Sequence, residues 1–145
     1  MIISQLVGGT APETGQSPAV RFARWGGVLY ASAGIIGLAL TGLVDLTSTS
    51  GAMLWVFEVN ALQNLLHLLI GIALVSSSGS SPGAARVATM LTATALGVTG
   101  LLGMALVGTE ANVLALNPPS NALHLATAAL ASICAAASPR QRAPS

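Results

Sequence analysis

The sequence predicts an all-α integral membrane protein, four transmembrane helices arranged as two tandem helical hairpins in a parallel repeat, and three observations predict it. The 145 residues are 53% hydrophobic and only 6% charged, with a mean hydropathy of +0.78, far from the about 25% charged of an ordinary soluble domain. Four apolar stretches run from Trp25 to Leu46, Met53 to Val75, Arg86 to Val107 and Pro118 to Ala137. Each is close to the ~20 residues a helix needs to cross ~30 Å of hydrocarbon. A polar triplet written N-x-x-x-N-x-L-H-L occurs twice, as Asn60, Asn64, His67 and as Asn117, Asn121, His124.

Residues 1–20 precede the first helix. They hold no basic residue and no long apolar run, which excludes a secretory signal peptide. Gly, Pro, Ser and Thr there bury too little apolar surface to offset the entropy of ordering, so a flexible tail is expected. The four-helix domain then occupies residues 21–137, and residues 138–145 form a second tail.

Helix 1 follows Arg21 and Arg24, with Gly34 and Gly37 inside it and Asp45 at its end. Helix 2 carries the first triplet. Its start is ambiguous: at Met53 it would enclose Glu58, whereas a start after Asn60 makes that residue an N-cap. Trp25 and Trp55 suit the two bilayer interfaces. A short loop from Ser76 to Ala85 leads to helix 3, which contains Gly97, Gly100 and Gly103. Helix 4 opens on Asn117-Pro118, the form of an N-cap followed by proline at the first helical position, where its missing N–H costs nothing.

All five basic residues are arginines, and four crossings put Arg21, Arg24, Arg86, Arg140 and Arg142 on one side. Asp45, Glu58 and Glu110 fall on the other. The positive-inside rule makes both termini cytoplasmic, which locates the chain as a multi-pass protein of a bacterial inner membrane. Nucleic-acid binding is excluded, because five arginines spread over three segments form no basic patch.

Both histidines and four of the five asparagines lie in the two triplets. Sliding the second half back by 57 residues superposes them, and an offset of 58 aligns Thr41-Gly42-Leu43 with Thr99-Gly100-Leu101, so the halves read as a tandem duplication with a one-residue difference in a loop. Hairpins of two crossings share one orientation, which relates them by an axis along the membrane normal. At ~100° per residue the three polar positions of each triplet share a helix face, and each histidine lies ~10 Å beyond the first asparagine. Gln63 extends that face. One turn further, Gly71 and Ala128 are small and are expected to serve close helix packing beneath the cluster.

Polar side chains in a membrane segment are costly unless paired, which makes Asn60, Asn64, His67, Asn117, Asn121 and His124 the candidate site. The expectation is an interhelical hydrogen-bonded cluster in a non-catalytic accessory or scaffold protein, docked in the lipid bilayer on other membrane proteins or on a second copy. No cofactor and no metal are predicted. Haem b with His67 and His124 as axial ligands is the first alternative, and an oligomeric transporter of protons or a small solute is the second. Catalysis is not expected, since no nucleophile motif, H-E-x-x-H or paired intramembrane carboxylates are present. Cys134, the lone cysteine, is expected to pack as a small hydrophobe.

The repeated N-x-x-x-N-x-L-H-L elements at Asn60 and Asn117, each opening an even-numbered helix, resemble the mainly actinobacterial membrane proteins catalogued as domain of unknown function 4383. The resemblance covers roughly Arg21 to Ala137 and implies a four-helix membrane protein whose signature residues are the two triplets. It also marks a departure: the family's second element usually carries an Asp before the second Asn, where this chain has Ser120. The resemblance implies no activity.

Overall fold

The computed structural model describes residues 16–139. Most of the expected N-terminal tail, Arg140, Arg142 and most of the expected C-terminal tail lie outside those residues. Along the chain come α1 (Pro18–Thr41), the strands β1 (Ala52–Leu54) and β2 (Phe57–Val59), then α2 (Ala61–Ser80), α3 (Pro82–Leu106) and α4 (Pro118–Ala136).

Each helix starts where a side-chain oxygen can accept an orphan amide of the first turn. Ser17 accepts from Val20, Asn60 from Gln63, Ser81 from Ala84 and Asn117 from Ser120. Proline follows the cap in α1, α3 and α4. These signals shift the boundaries read from hydropathy. Helix α1 begins at Pro18 rather than Trp25, taking Arg21 and Arg24 inside, and α3 begins at Pro82 rather than Arg86. Helix α1 also stops at Thr41, not Leu46, because Gly42 adopts φ 65° and returns its N–H to the Leu38 carbonyl.

The segment from Met53 to Val59 is not helical. It folds as an antiparallel hairpin pairing Ala52 with Val59 and Leu54 with Phe57, closed by the two-residue turn Trp55-Val56. Aromatic and β-branched residues favour the strand, and the Glu58 carboxylate accepts from the Gly51 amide at 2.8 Å. Helix α2 therefore starts at Ala61 with Asn60 as its cap, and it runs on to Ser80.

Helices α1 and α2 pack most closely, as do α3 and α4; α3 also touches α1 and α2, while the seam between α1 and α4 is sparser. Small residues set these distances. A Cβ on Gly34 would lie 2.6 Å from the Leu68 amide nitrogen, and one on Gly100 would lie 2.8 Å from Leu125 Cγ. Such close approach suits packing in lipid, where dispersion and hydrogen bonds bring helices together.

Arg21, Arg24 and Arg86 gather at one end of the bundle, the arginine end, and Asp45, Glu58 and Glu110 lie in connections at the other, the hairpin end. At the arginine end Val20, Phe22, Ala23, Leu74, Ala85, Ala93 and Ala131 form an apolar cluster, with the half-buried Cys134 packed on it. Polar ties close the same end. The Ala19 amide donates to Ser138 Oγ at 2.8 Å, Ser138 Oγ donates to the Cys134 carbonyl, and Arg86 Nε donates to the Ala135 carbonyl at 3.0 Å.

Three helices, α1, α2 and α3, are long and apolar enough to cross a membrane. Their outward residues, among them Leu29, Ile35, Leu69 and Leu101, are well exposed, as a lipid-facing surface requires. Helix α4 is not apolar enough by the same measure. Its 19 residues open with two prolines, Ser120 and Asn121, followed by His124, and alanine does not make up for them as leucine and isoleucine do in α2.

Candidate functional site

The two first asparagines are built alike. Asn60 Oδ1 accepts from the Gln63 amide at 2.9 Å, and Asn117 Oδ1 accepts from the Ser120 amide at 3.1 Å. Each leaves its amide nitrogen free to reach across. Asn60 Nδ2 donates to the Val113 carbonyl, in the connection between α3 and α4, and to the Ser48 carbonyl, both at 2.8 Å. Asn117 Nδ2 donates to the Val56 carbonyl, in the β-hairpin turn, at 2.9 Å. So the cap of each even-numbered helix holds the loop of the other hairpin. Buried Gln63 adds to this layer when its amide nitrogen faces the Glu58 and Leu114 carbonyls, at 3.2 and 3.3 Å.

The second asparagines lie one turn deeper and are almost fully enclosed, each 1% exposed. Asn64 Oδ1 presses on Gly37 of α1, and Asn121 Oδ1 on Gly103 of α3, so closely that neither glycine has room for a Cβ. Asn64 Nδ2 finds an acceptor in Thr41 Oγ1 at 3.2 Å. Four residues after Gly103 the corresponding residue is Val107, which has no hydroxyl. Among the described residues neither atom of the Asn121 amide has a hydrogen-bond partner.

The histidines meet. His67 Nε2 and His124 Nε2 are 3.4 Å apart, with ring centroids at 5.7 Å and planes at 73°. One nitrogen must donate and the other accept. Tyr30 of α1 stands edge-on to His67 at 5.2 Å between centroids. Helices α2 and α4 otherwise barely touch, so the imidazoles are the bridge between them.

Gly71 and Ala128 do not face each other. A Cβ on Gly71 would lie 2.7 Å from Ala31 Cα, within the first hairpin, and Ala128 faces Gly97 within the second. Neither borders the open space near the histidines. That space comprises two cavities: one of about 530 Å³ along the seam of α1 and α4, from Pro18 and Arg21 up to the imidazoles, and one of about 300 Å³ beneath the hairpin. They share Ala33, His67, Leu123 and His124.

The structure adds participants that the triplets alone do not reveal: Gly37, Gly103, Thr41 and Tyr30. The glycines had a signal, since Gly34-Ile35-Ile36-Gly37 and Gly100-Leu101-Leu102-Gly103 carry the same spacing in both odd-numbered helices. Their contacts set an offset of 66 for those helices. The 58-residue alignment fails because Gly42 ends α1 whereas Gly100 is buried within α3. Against the offset of 57 for the triplets, the added length lies in the connection that holds the β-hairpin, and the expected one-residue difference does not hold.

A family model described as a domain of unknown function, DUF4383, matches residues 20–137. No curated protein and no solved structure matches the chain.

Proposed function

The chain belongs to the family of domain of unknown function 4383, and from that premise we propose that it is a non-catalytic accessory or scaffold subunit of the bacterial inner membrane. In this reading α4 crosses the bilayer with the other three helices, both termini are cytoplasmic, and the two hairpins are tandem copies related by an axis along the membrane normal. The Asn/His clusters hold the copies together.

One observation carries the reading: Asn60 donates to the Val113 carbonyl and Asn117 to the Val56 carbonyl, each from the cap of one hairpin to the loop of the other. Side chains committed to such ties serve assembly. The glycine–asparagine contacts in each hairpin and the clustering of Arg21, Arg24 and Arg86 at one end support the duplication and the orientation. Largely apolar walls on both sides of the histidines favour a non-conducting role over transport.

The test is blue-native electrophoresis of the tagged chain from its own membranes, with in-membrane crosslinking at exposed positions such as Leu69 and Leu101. Migration in a larger assembly, with crosslinks to one defined partner or to a second copy, is expected. A free monomer without crosslinks would remove the accessory reading.

A second reading has an observation of its own, the facing Nε2 atoms of His67 and His124. His67 and His124 would be the residues to hold a haem iron, and at ordinary metal–imidazole bond lengths of roughly 2 Å each their Nε2 atoms, now 3.4 Å apart, would have to separate further. Absorption spectra of protein purified from a haem-supplied host, oxidised and dithionite-reduced, decide it. A Soret band that shifts on reduction and disappears in His67→Ala establishes haem, and a flat spectrum rejects it.

A further inference from the structure

The cavity along the α1–α4 seam has a composition that the assembly role does not require. Its neutral hydrogen-bonding side chains His67, His124, Tyr30 and Thr127 lie toward one end, and its length toward the arginine end is lined by Phe22, Trp25, Leu29 and Leu130. From Ala33 to Arg21 along α1 is roughly 18 Å at ~1.5 Å per residue. Arg21, the only charged residue of the lining, stands at the far mouth.

We propose that this cavity binds a lipid-soluble quinone or its quinol, with the ring against His67 and His124 and the isoprenoid tail along Trp25, Leu29 and Leu130. The inference goes beyond the accessory role and leaves in place the Asn60 and Asn117 ties that carry that role. Three features carry it. A volume of about 530 Å³ lies within the ~300–1,000 Å³ of small-molecule sites, which are mostly apolar with a few convergent polar groups. The polar end offers neutral groups able both to donate and to accept, matching a ring whose oxygens accept in the oxidised form and donate in the reduced one. The imidazole contact itself, at 3.4 Å, is long for a hydrogen bond, so a ring oxygen can take one imidazole's place as partner.

An acyl chain of a phospholipid anchored at Arg21 would fill the same length. Its methyl end, however, would abut two imidazoles and a phenol and could make no hydrogen bond to any of them. The terminal chemistry of the cavity therefore selects a ligand with a polar ring at that depth.

Both tryptophans border these cavities, Trp25 the larger and Trp55 the smaller, and quinones quench indole emission. The test uses the full chain with Trp55→Phe in phosphatidylcholine nanodiscs, titrated with a benzoquinone carrying two isoprene units. Saturable quenching of Trp25 is expected, reversed by an excess of a non-quenching quinol of the same tail. Ala33→Phe, at the junction of the two cavities, should raise the half-saturating concentration tenfold or more. Leu123→Phe, at a half-exposed position on the same junction, should raise it as well and serves if Ala33→Phe fails to fold. Quenching that rises linearly and equally in parent and variants overturns the proposal. So does saturation that a saturated phospholipid reverses but the quinol does not, which assigns the cavity to an acyl chain.

Discussion

Asn64 lodges its side-chain oxygen where a Cβ on Gly37 would stand, in a space that no other residue type leaves open. The contact sets the spacing of α1 and α2 at the depth of the second asparagine. Asn121 and Gly103 repeat it between α3 and α4.

Adding one carbon at this contact is the direct challenge. Gly37→Ala should destabilise by about 1–3 kcal/mol, the usual cost of overpacking, and Gly103→Ala by a similar amount. Thermal unfolding in mild detergent measures it. Combining Gly37→Ala with Asn64→Ala should recover part of the loss, a coupling that a double-mutant cycle reads directly; strictly additive losses would falsify the contact.

The two deep asparagines differ in their satisfaction. Asn64 donates to Thr41, whereas Val107 gives Asn121 nothing to bond. Val107→Thr should therefore stabilise by about 1 kcal/mol, the net worth of a typical hydrogen bond, and Thr41→Val should cost about as much. The pair of melting curves decides, and a destabilised Val107→Thr protein would reject the equivalence of the two positions.

Removing both imidazoles tests the bridge between α2 and α4. His67→Ala with His124→Ala should lower stability in detergent, with the lost hydrogen bond contributing about 0.6–2 kcal/mol. Either single change should cost nearly as much as both, because the surviving ring loses its partner. An unchanged melting temperature in the double variant would count against an interhelical role.

At the caps, Asn60→Ala should cost more than Ser17→Ala. Both lose an N-cap, about 1 kcal/mol, but Asn60 also releases the Val113 and Ser48 carbonyls. Limited proteolysis should show the connection between α3 and α4 opening in Asn60→Ala, and the β-hairpin opening in Asn117→Ala. Cleavage confined to the substituted hairpin would contradict the crossed ties.

Orientation is open to labelling. In a Cys134→Ala background, Thr49→Cys at the hairpin end should react with a membrane-impermeant maleimide in intact spheroplasts, and Ser80→Cys only after permeabilisation. The reverse pattern would invert the topology.

Hydropathy and the repeated triplet made the number of helices and their order legible in the sequence, and named the residues that the structure brings into one polar cluster. The Ser-Pro pairs at Ser17 and Ser81 were equally legible as helix starts, but a hydropathy window places the beginning at the apolar run rather than at the cap. The β-hairpin was hidden for a different reason. Its turn is Trp55-Val56, with Trp55 at φ 60° and 83% exposed, where a two-residue turn ordinarily signals itself with Gly or Asn. Seven largely apolar residues without that signal read as the start of a membrane helix. The pairing of His67 with His124 followed from equal spacing in both copies; that Gly71 and Ala128 turn to their own hairpins depended on helix rotation, which spacing alone does not fix.

Ser138 accepts the Ala19 amide from 119 residues further along the chain, so the first turn of α1 is completed by a residue just past the end of α4. The Ala19 donor has that acceptor only once α4 lies back beside α1. The fastening of the first helix therefore depends on the placing of the fourth. A chain cut before Ser138 would keep the residues of every helix and lose this one clasp between α1 and α4.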